Sequence, residues 1–153
     1  MFKKLLEVIN SKTRSKPESV DSQVIFASLL VRAARIDDEY SEVEKLKIDQ
    51  IIKEKFSLSI SKAQEIRAGG EDFEENIVDT VQITKQIKKD IPFEQRKVLA
   101  EDLWSIILAD LTRSEDENSF MRTCIKLIGV NDVDSALARR AVLVKIKRDG
   151  NSE

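Results

Sequence analysis

The sequence predicts an all-α protein, a single-domain helical bundle of about seven to eight helices. Three observations lead to this prediction. Glycine and proline, which interrupt helices, number only 4 and 2 among 153 residues. Helix-favouring Leu, Ile, Lys, Glu and Arg are frequent, whereas aromatic residues make up 5%. Apolar residues recur at helical spacing, and no segment alternates apolar and polar residues as a half-buried strand does.

The first 19 residues are predicted to form a unit of their own. The apolar residues of MFKKLLEVIN fall at i, i+3, i+4 and i+7, the spacing of a short amphipathic helix: Phe2, Leu5, Leu6 and Ile9. The polar stretch SKTRSKPES (11–19) contains a proline and no apolar periodicity, so it is predicted to be a linker. The helical domain is predicted for residues 20–148, with a frayed tail at 149–153.

Two strongly apolar helices are predicted at the centre of the bundle. One runs from about Val20 to Ile36, and the other follows Pro92, whose missing N–H has no role in a first helical turn. An amphipathic helix follows the first of them, over about 42–56. Its residues predicted to face inward are Val43, Leu46, Ile51 and Ile52.

The remaining helices are assigned from shorter patterns. One is predicted over 61–68, with Gly69-Gly70 as its C-terminal stop. The acidic run EDFEE (71–75) would then begin a new helix that ends near Asp90, since carboxylates favour a helix N-terminus. Two further helices are predicted over about 115–128 and 133–146.

The composition excludes several functions. Lys and Arg number 26 against 28 Asp and Glu, so the net charge of −2 argues against a nucleic-acid-binding protein. The chain has no histidine, which excludes His-based catalysis and the usual zinc, haem and di-iron ligand sets. Cys124 is the sole cysteine, so no intramolecular disulfide forms. No apolar run approaches the roughly 20 residues of a membrane span, and the N-terminus does not read as a signal peptide; a cytoplasmic location is expected.

An acidic motif occurs twice in the chain. Both copies lie between an apolar helix and an amphipathic one, at an offset of 73 residues. The matched positions are Asp37, Ser41 and Glu44 in the first copy, and Asp110, Ser114 and Glu117 in the second. This pattern predicts an internal duplication of helix, acidic turn and helix.

Helix capping explains part of this motif. Ser41-x-x-Glu44 and Ser114-x-x-Glu117 have the spacing of capping boxes, in which serine and glutamate satisfy the first amides of a helix. Asp37 and Asp110 lie four residues earlier, at the end of the preceding helix, where a negative charge opposes the helix dipole. A hydrogen bond that closes the turn, or a bound cation, would explain them.

The doubled motif resembles the TerB-like domains, which are named for the tellurite-resistance protein B. Their repeated signature is an apolar helix, then A-D-G-x-x-S-x-x-E, then an amphipathic helix. ARIDDEYSEVE (34–44) is similar to one copy and LADLTRSEDE (108–117) to the other. The resemblance covers about Val24 to Val144. It departs from the signature where Asp38 and Leu111 replace the glycine that follows each aspartate.

The resemblance implies a non-enzymatic, all-helical module associated with tellurite and general stress responses. Carried over position by position, the metal ligands would be Asp37, Glu44, Asp110 and Glu117, with Ser41 and Ser114 as helix N-caps and no catalytic residue. Carboxylate oxygens suit Ca²⁺ or another divalent cation.

The functional prediction is therefore a module that binds a protein partner or a second copy of itself, and a divalent cation at its two acidic turns. No nucleic-acid partner and no transmembrane segment are predicted. Two alternatives stay open. One is a carboxylate-metal-dependent hydrolase of phosphate esters, which needs several carboxylates in one cleft. The other is a peripheral membrane scaffold that uses residues 1–10.

Overall fold

The computed structural model describes residues 20–36, 40–76, 79–109 and 115–151, and within these ranges every regular element is an α-helix. The prediction of an all-α bundle is confirmed. Seven helices lie in the described ranges: α1 (Val20–Ala34), α2 (Glu42–Phe56), α3 (Ile60–Asn76), α4 (Thr80–Asp90), α5 (Phe93–Ala109), α6 (Glu115–Leu127) and α7 (Asp132–Asn151). The predicted N-terminal helix and linker lie outside the described residues, and α7 continues to Asn151, past the start of the expected tail.

Helices α1 and α5 form the centre of the bundle. α1 packs against α2, α3, α4 and α5, while α5 also contacts α2, α4, α6 and α7. The apolar face of α1 is almost completely buried, and the ring of Phe26 meets that of Phe56 edge-on at 5.4 Å between centroids. An aromatic pair of this geometry adds roughly 0.5–1.5 kcal/mol to the effect of burial alone.

The helix order agrees with a duplicated unit. The apolar helix, the amphipathic helix and the trailing helix of the first unit, α1, α2 and α3, are matched in the same order by α5, α6 and α7. Residues 37–39 and 110–114, in the turns between these helices, lie outside the described residues. In each unit the trailing helix, α3 or α7, packs on the apolar helix of its own unit.

The prediction that Gly69-Gly70 ends a helix is wrong. Both glycines are buried in the interior of α3, which continues to Asn76. A Cβ at Gly70 would lie 2.7 Å from Ala27 Cβ and 2.9 Å from the backbone nitrogen of Ser28. The glycine therefore allows α3 to approach the backbone of α1 closely. As a consequence, the acidic run 71–75 lies in the last turns of α3 and does not start a helix.

The inward face of α2 also differs in part from the prediction. Ile51 and Ile52 are buried as expected, whereas Val43 and Leu46 are 71% and 61% exposed. At about 100° per residue, Val43 and Leu46 fall on the side of the helix opposite Ile48 and Ile52. The two sets cannot both face the core. The isoleucines face it because α2 packs there against α1 and α3.

Candidate functional site

The first acidic turn is bounded by a capping box. The backbone N–H of Ser41 donates to Glu44 Oε1 at 2.9 Å, and the backbone N–H of Glu44 donates to Ser41 Oγ at 3.2 Å. The predicted cap at Ser41 is therefore confirmed. It begins α2 directly after the turn, and caps of this kind stabilise a helix by roughly 1 kcal/mol.

The predicted metal ligands fall partly outside the described residues. Asp37 and Asp110 lie there, as does Ser114. Glu44 is half-buried in the first turn of α2, whereas Glu117 in α6 is only 4% exposed. Within the ranges that the structure describes, no group of three or more Asp, Glu or Cys side chains is placed to hold a metal ion. The cation site stays a prediction.

Tyr40, the last residue of the first acidic turn, is held by contacts on three sides. Two cations lie over its ring, with Arg35 Cζ at 5.0 Å and Lys45 Nζ at 5.1 Å from the centroid. Its hydroxyl donates to Glu71 Oε2 at 2.5 Å. Burial and the bond to the Glu71 carboxylate raise the pKa of Tyr40 well above its ordinary value. The neutral phenol is thus fixed to α3 as a hydrogen-bond donor.

A buried ion pair lies next to this tyrosine. Arg67 Nε donates to Asp49 Oδ1 at 2.6 Å, and Arg67 Nη1 donates to Glu71 Oε2 at 2.8 Å. Asp49 is only 1% exposed, so its charge depends on this partner. Ion pairs and hydrogen bonds to Asp49 and Glu71 outweigh the desolvation of the guanidinium and raise the pKa of Arg67. A carboxylate buried without such a partner would be strongly destabilising.

A second ion-pair cluster joins the same tyrosine to α1 and α4. Glu74 Oε1 accepts from Arg35 Nη1 at 2.6 Å, and Glu74 Oε2 accepts from Arg32 Nε at 3.1 Å. Arg32 also donates through Nη1 to Thr80 Oγ1 at 3.1 Å. Since Arg35 contacts both Tyr40 and Glu74, the two clusters are continuous. We call this set the corner network: Arg32, Arg35, Tyr40, Asp49, Arg67, Glu71 and Glu74.

The corner network explains why carboxylates occupy the last turns of α3. There they oppose the helix dipole, which costs a few tenths of a kcal/mol up to about 1 kcal/mol each. Pairing of Glu71 and Glu74 with arginines offsets that cost. The network was not predicted from the sequence. The pattern in the sequence that points to it is the helical spacing of Arg67 and Glu71 and of Arg32 and Arg35, which places each pair on one face of its helix.

A separate ion pair lies on the other side of α1. Lys55 Nζ is 3.1 Å from Asp102 Oδ2 and 5.0 Å from the centroid of Phe26. Burial raises the pKa of Asp102 to about 6 against the attraction of Lys55. Lys55 also lines a small pocket whose walls include no carboxylate: Ser22, Phe26, Lys55, Phe56, Ile91 and Gln95. This pocket does not suit a carboxylate-metal hydrolase.

Replacing Asp102 with asparagine is expected to flatten the dependence of stability on pH. Because the pKa rises from 3.8 to about 6 on folding, the folded state holds this proton more tightly than the unfolded chain. The stabilisation is complete below pH 3.8 and is lost as pH rises through about 6. Its size is about 1–3 kcal/mol. Urea unfolding of both proteins at about pH 4 and about pH 7 measures it, and an equal difference at both pH values would contradict it.

The thiol of Cys124 is not suited to act as a reactive nucleophile. The thiol is completely buried, and burial raises its pKa to about 12. A thiol with that pKa forms almost no thiolate at neutral pH, and the thiolate is the nucleophile.

Comparison with known protein families gives a match. A family model described as tellurite resistance protein TerB matches residues 23–140. The match spans both acidic turns and the whole corner network. No curated protein and no solved structure matches the chain. In the part of the chain that the structure describes, no helix has both the length and the apolar character needed to cross a membrane.

Proposed function

Because the chain belongs to the TerB family of tellurite-resistance proteins, we propose that it is a cytoplasmic, non-enzymatic binding module of the tellurite or general stress response. In this proposal the two acidic turns bind a divalent cation, and the module contacts a protein partner. The family is not one of the known enzyme families.

The observation that carries the proposal is the anchoring of the first acidic turn. The capping box fixes its C-terminal side to α2, and Tyr40 is bonded to Glu71 of α3. Arg35, close to its N-terminal side, is paired with Glu74. A binding site gains affinity when its ligands are held in place before binding, because less conformational entropy is lost. Helix capping alone requires only Ser41 and Glu44.

Calcium is the cation that best suits the proposed ligands. Hard cations take carboxylate oxygens, and Ca²⁺ accepts six to eight ligands in flexible geometry. Asp37 and Glu44 would serve in the first turn, Asp110 and Glu117 in the second. Glu44 Oε1 already accepts the Ser41 amide, so a cation at the first turn has to share this carboxylate with the cap.

Millimolar Ca²⁺ is expected to raise the melting temperature of the protein relative to a sample with chelator. A ligand that binds only the folded state, at ten times its Kd, adds about 1.4 kcal/mol to the free energy of unfolding. For a domain of this size that corresponds to about 3–6 °C. Thermal unfolding followed by circular dichroism measures the shift.

Matched variants separate cation binding from helix capping. Ser41→Ala removes the cap but no proposed ligand, so it should lower stability by about 1 kcal/mol and should reduce the Ca²⁺ shift without abolishing it. Asp37→Asn combined with Glu44→Gln should abolish the contribution of the first turn, and Asp110→Asn with Glu117→Gln that of the second. Equal shifts in all these variants, or no shift in the wild-type protein, would refute the cation site.

The alternative of a phosphate-ester hydrolase gains no support from the described residues. It requires several carboxylates around one cleft with an open metal position. The carboxylates that the structure brings together around Tyr40 are engaged by arginines: Asp49, Glu71 and Glu74.

A further inference from the structure

The outward face of α7 is apolar. Val133, Leu137 and Val144 are 68%, 57% and 57% exposed, and their spacing of four and seven residues aligns them along one side of the helix. Ala141, also exposed, lies between the last two. We call these four residues the α7 stripe. The opposite side of α7, with Ala138 and Val142, is buried, and its main described neighbour is α5.

A stripe of this kind differs from ordinary surface residues. Single exposed aliphatic side chains are common in folded proteins. Aligned apolar side chains over three turns are typical of a helix that packs against another element on that side. The first residues of the chain have the matching property, since Phe2, Leu5, Leu6 and Ile9 have the spacing of an amphipathic helix.

We propose that residues 1–10 of the same chain dock on the α7 stripe as an amphipathic helix. The dimensions agree. At about 1.5 Å per residue, the apolar side of the segment from Phe2 to Ile9 is about 10 Å long, and the stripe from Val133 to Val144 is about 16 Å long. A single short helix therefore covers most of the stripe.

The linker is long enough for this contact. Near the start of α1, Ser22 lines one pocket with Ile91 and Gln95. Near the start of α7, Asp134 Oδ2 lies 3.9 Å from Lys97 Nζ. The first turns of α1 and α7 are thus both next to the first two turns of α5. The ten residues from 10 to 19 span up to about 33 Å when extended.

Charge selects the direction in which the segment lies. In a parallel arrangement, Lys3 and its neighbouring lysine meet the acidic start of α7 at Asp132. Glu7, one turn further along the segment, then lies about 6 Å short of Arg140 along the helix axis, a distance that the long arginine side chain can span. In the antiparallel arrangement the two lysines face Lys147 and the adjacent arginine. Opposite charges across a contact attract and like charges repel. The parallel arrangement is therefore the one we infer. It places residue 10 about 12 Å along α7 from the first turn of that helix, and the extended linker of up to about 33 Å has length for this additional distance.

A double-mutant cycle in the full-length chain tests this docking. The segment variant is Leu5→Gln with Leu6→Gln, and the stripe variant is Leu137→Gln with Val144→Gln. Each should lower the urea midpoint, and the combined variant should lower it no further than either one, because both remove the same contact. The stripe residues are exposed, so their replacement leaves the core intact.

The control is the pair Val43→Gln and Leu46→Gln, two exposed residues on α2. Its effect should add to that of the segment variant. Additive effects of the segment and stripe variants, or coupling of the segment to the control pair, would overturn the docking. A concentration-dependent dimer that only the stripe variant dissociates would assign the stripe to a second copy and overturn it too. So would loss of binding to phosphatidylserine vesicles in a segment variant that keeps the wild-type urea midpoint.

Discussion

Replacing Arg67 with methionine is expected to lower the free energy of unfolding by about 3–5 kcal/mol, because it leaves a buried carboxylate without its counter-ion. Asp49 is 1% exposed, and the Arg67 guanidinium is 2.6 Å from its carboxylate. The same change removes the bond from Arg67 to Glu71, whose carboxylate holds the Tyr40 hydroxyl. Urea unfolding at neutral pH measures the loss.

Two control variants show whether the loss of stability comes from the unpaired buried charge. Lys62→Met removes an exposed ion pair with Glu65 on the same helix and should change stability by less than about 1 kcal/mol. Asp49→Leu combined with Arg67→Met removes both buried charges and should recover much of the loss, since the cost is that of the unpaired charge. If Arg67→Met destabilises no more than Lys62→Met, the buried pair does not hold α3 against α2.

Replacing Gly70 with alanine is expected to destabilise the protein by about 1–3 kcal/mol through overpacking. Alanine is favoured over glycine in a helix by roughly 1 kcal/mol, so local preference alone predicts the opposite sign. The added Cβ would lie 2.7 Å from Ala27 Cβ and 2.9 Å from the backbone of Ala27 and Ser28. Backbone atoms cannot turn aside as a flexible side chain does, so α3 has to move away from α1. Thermal or urea unfolding gives the sign directly.

The partner residue supplies the control for this prediction. Ala27→Gly removes the nearest of the three atoms, and alone it should destabilise a buried helix position by roughly 1 kcal/mol. In the Gly70→Ala protein the same change should cost less, or should partly restore stability, because it relieves the closest contact. Strictly additive effects would show that the two helices do not meet at these residues.

Both predictions concern the support of the first acidic turn. Gly70 sets the distance between α1 and α3, and Arg67 joins α3 to α2. Tyr40 can reach Glu71 only when these helices are in register. Either variant should therefore weaken cation binding at the first turn, even though neither residue is among the proposed ligands.

Helix identity and the first helix cap were predictable because they depend on near neighbours. Apolar spacing marks α1 and α5, and Ser41 and Glu44 are three residues apart, so their reciprocal bonds form within one turn. The prediction of a helix end at Gly69-Gly70 was wrong because the same local pattern occurs in two different structures. A Gly-Gly pair is a helix stop in one setting and a close-packing position in another. The choice depends on whether a second helix approaches, as α1 does at Gly70.

By itself, the sequence determined an all-helical fold, the positions of its two apolar helices, the doubled acidic motif and the resemblance to the TerB family. Only the tertiary structure determined which face of α2 is buried, that α3 continues across Gly69 and Gly70, and that Tyr40 is bonded to Glu71. Local patterns follow from the 3.6-residue helical period and from capping between residues a few positions apart. The bonds of the corner network between different helices join residues 18 to 42 positions apart, and these contacts exist only once burial of the apolar faces has brought α1, α2 and α3 together.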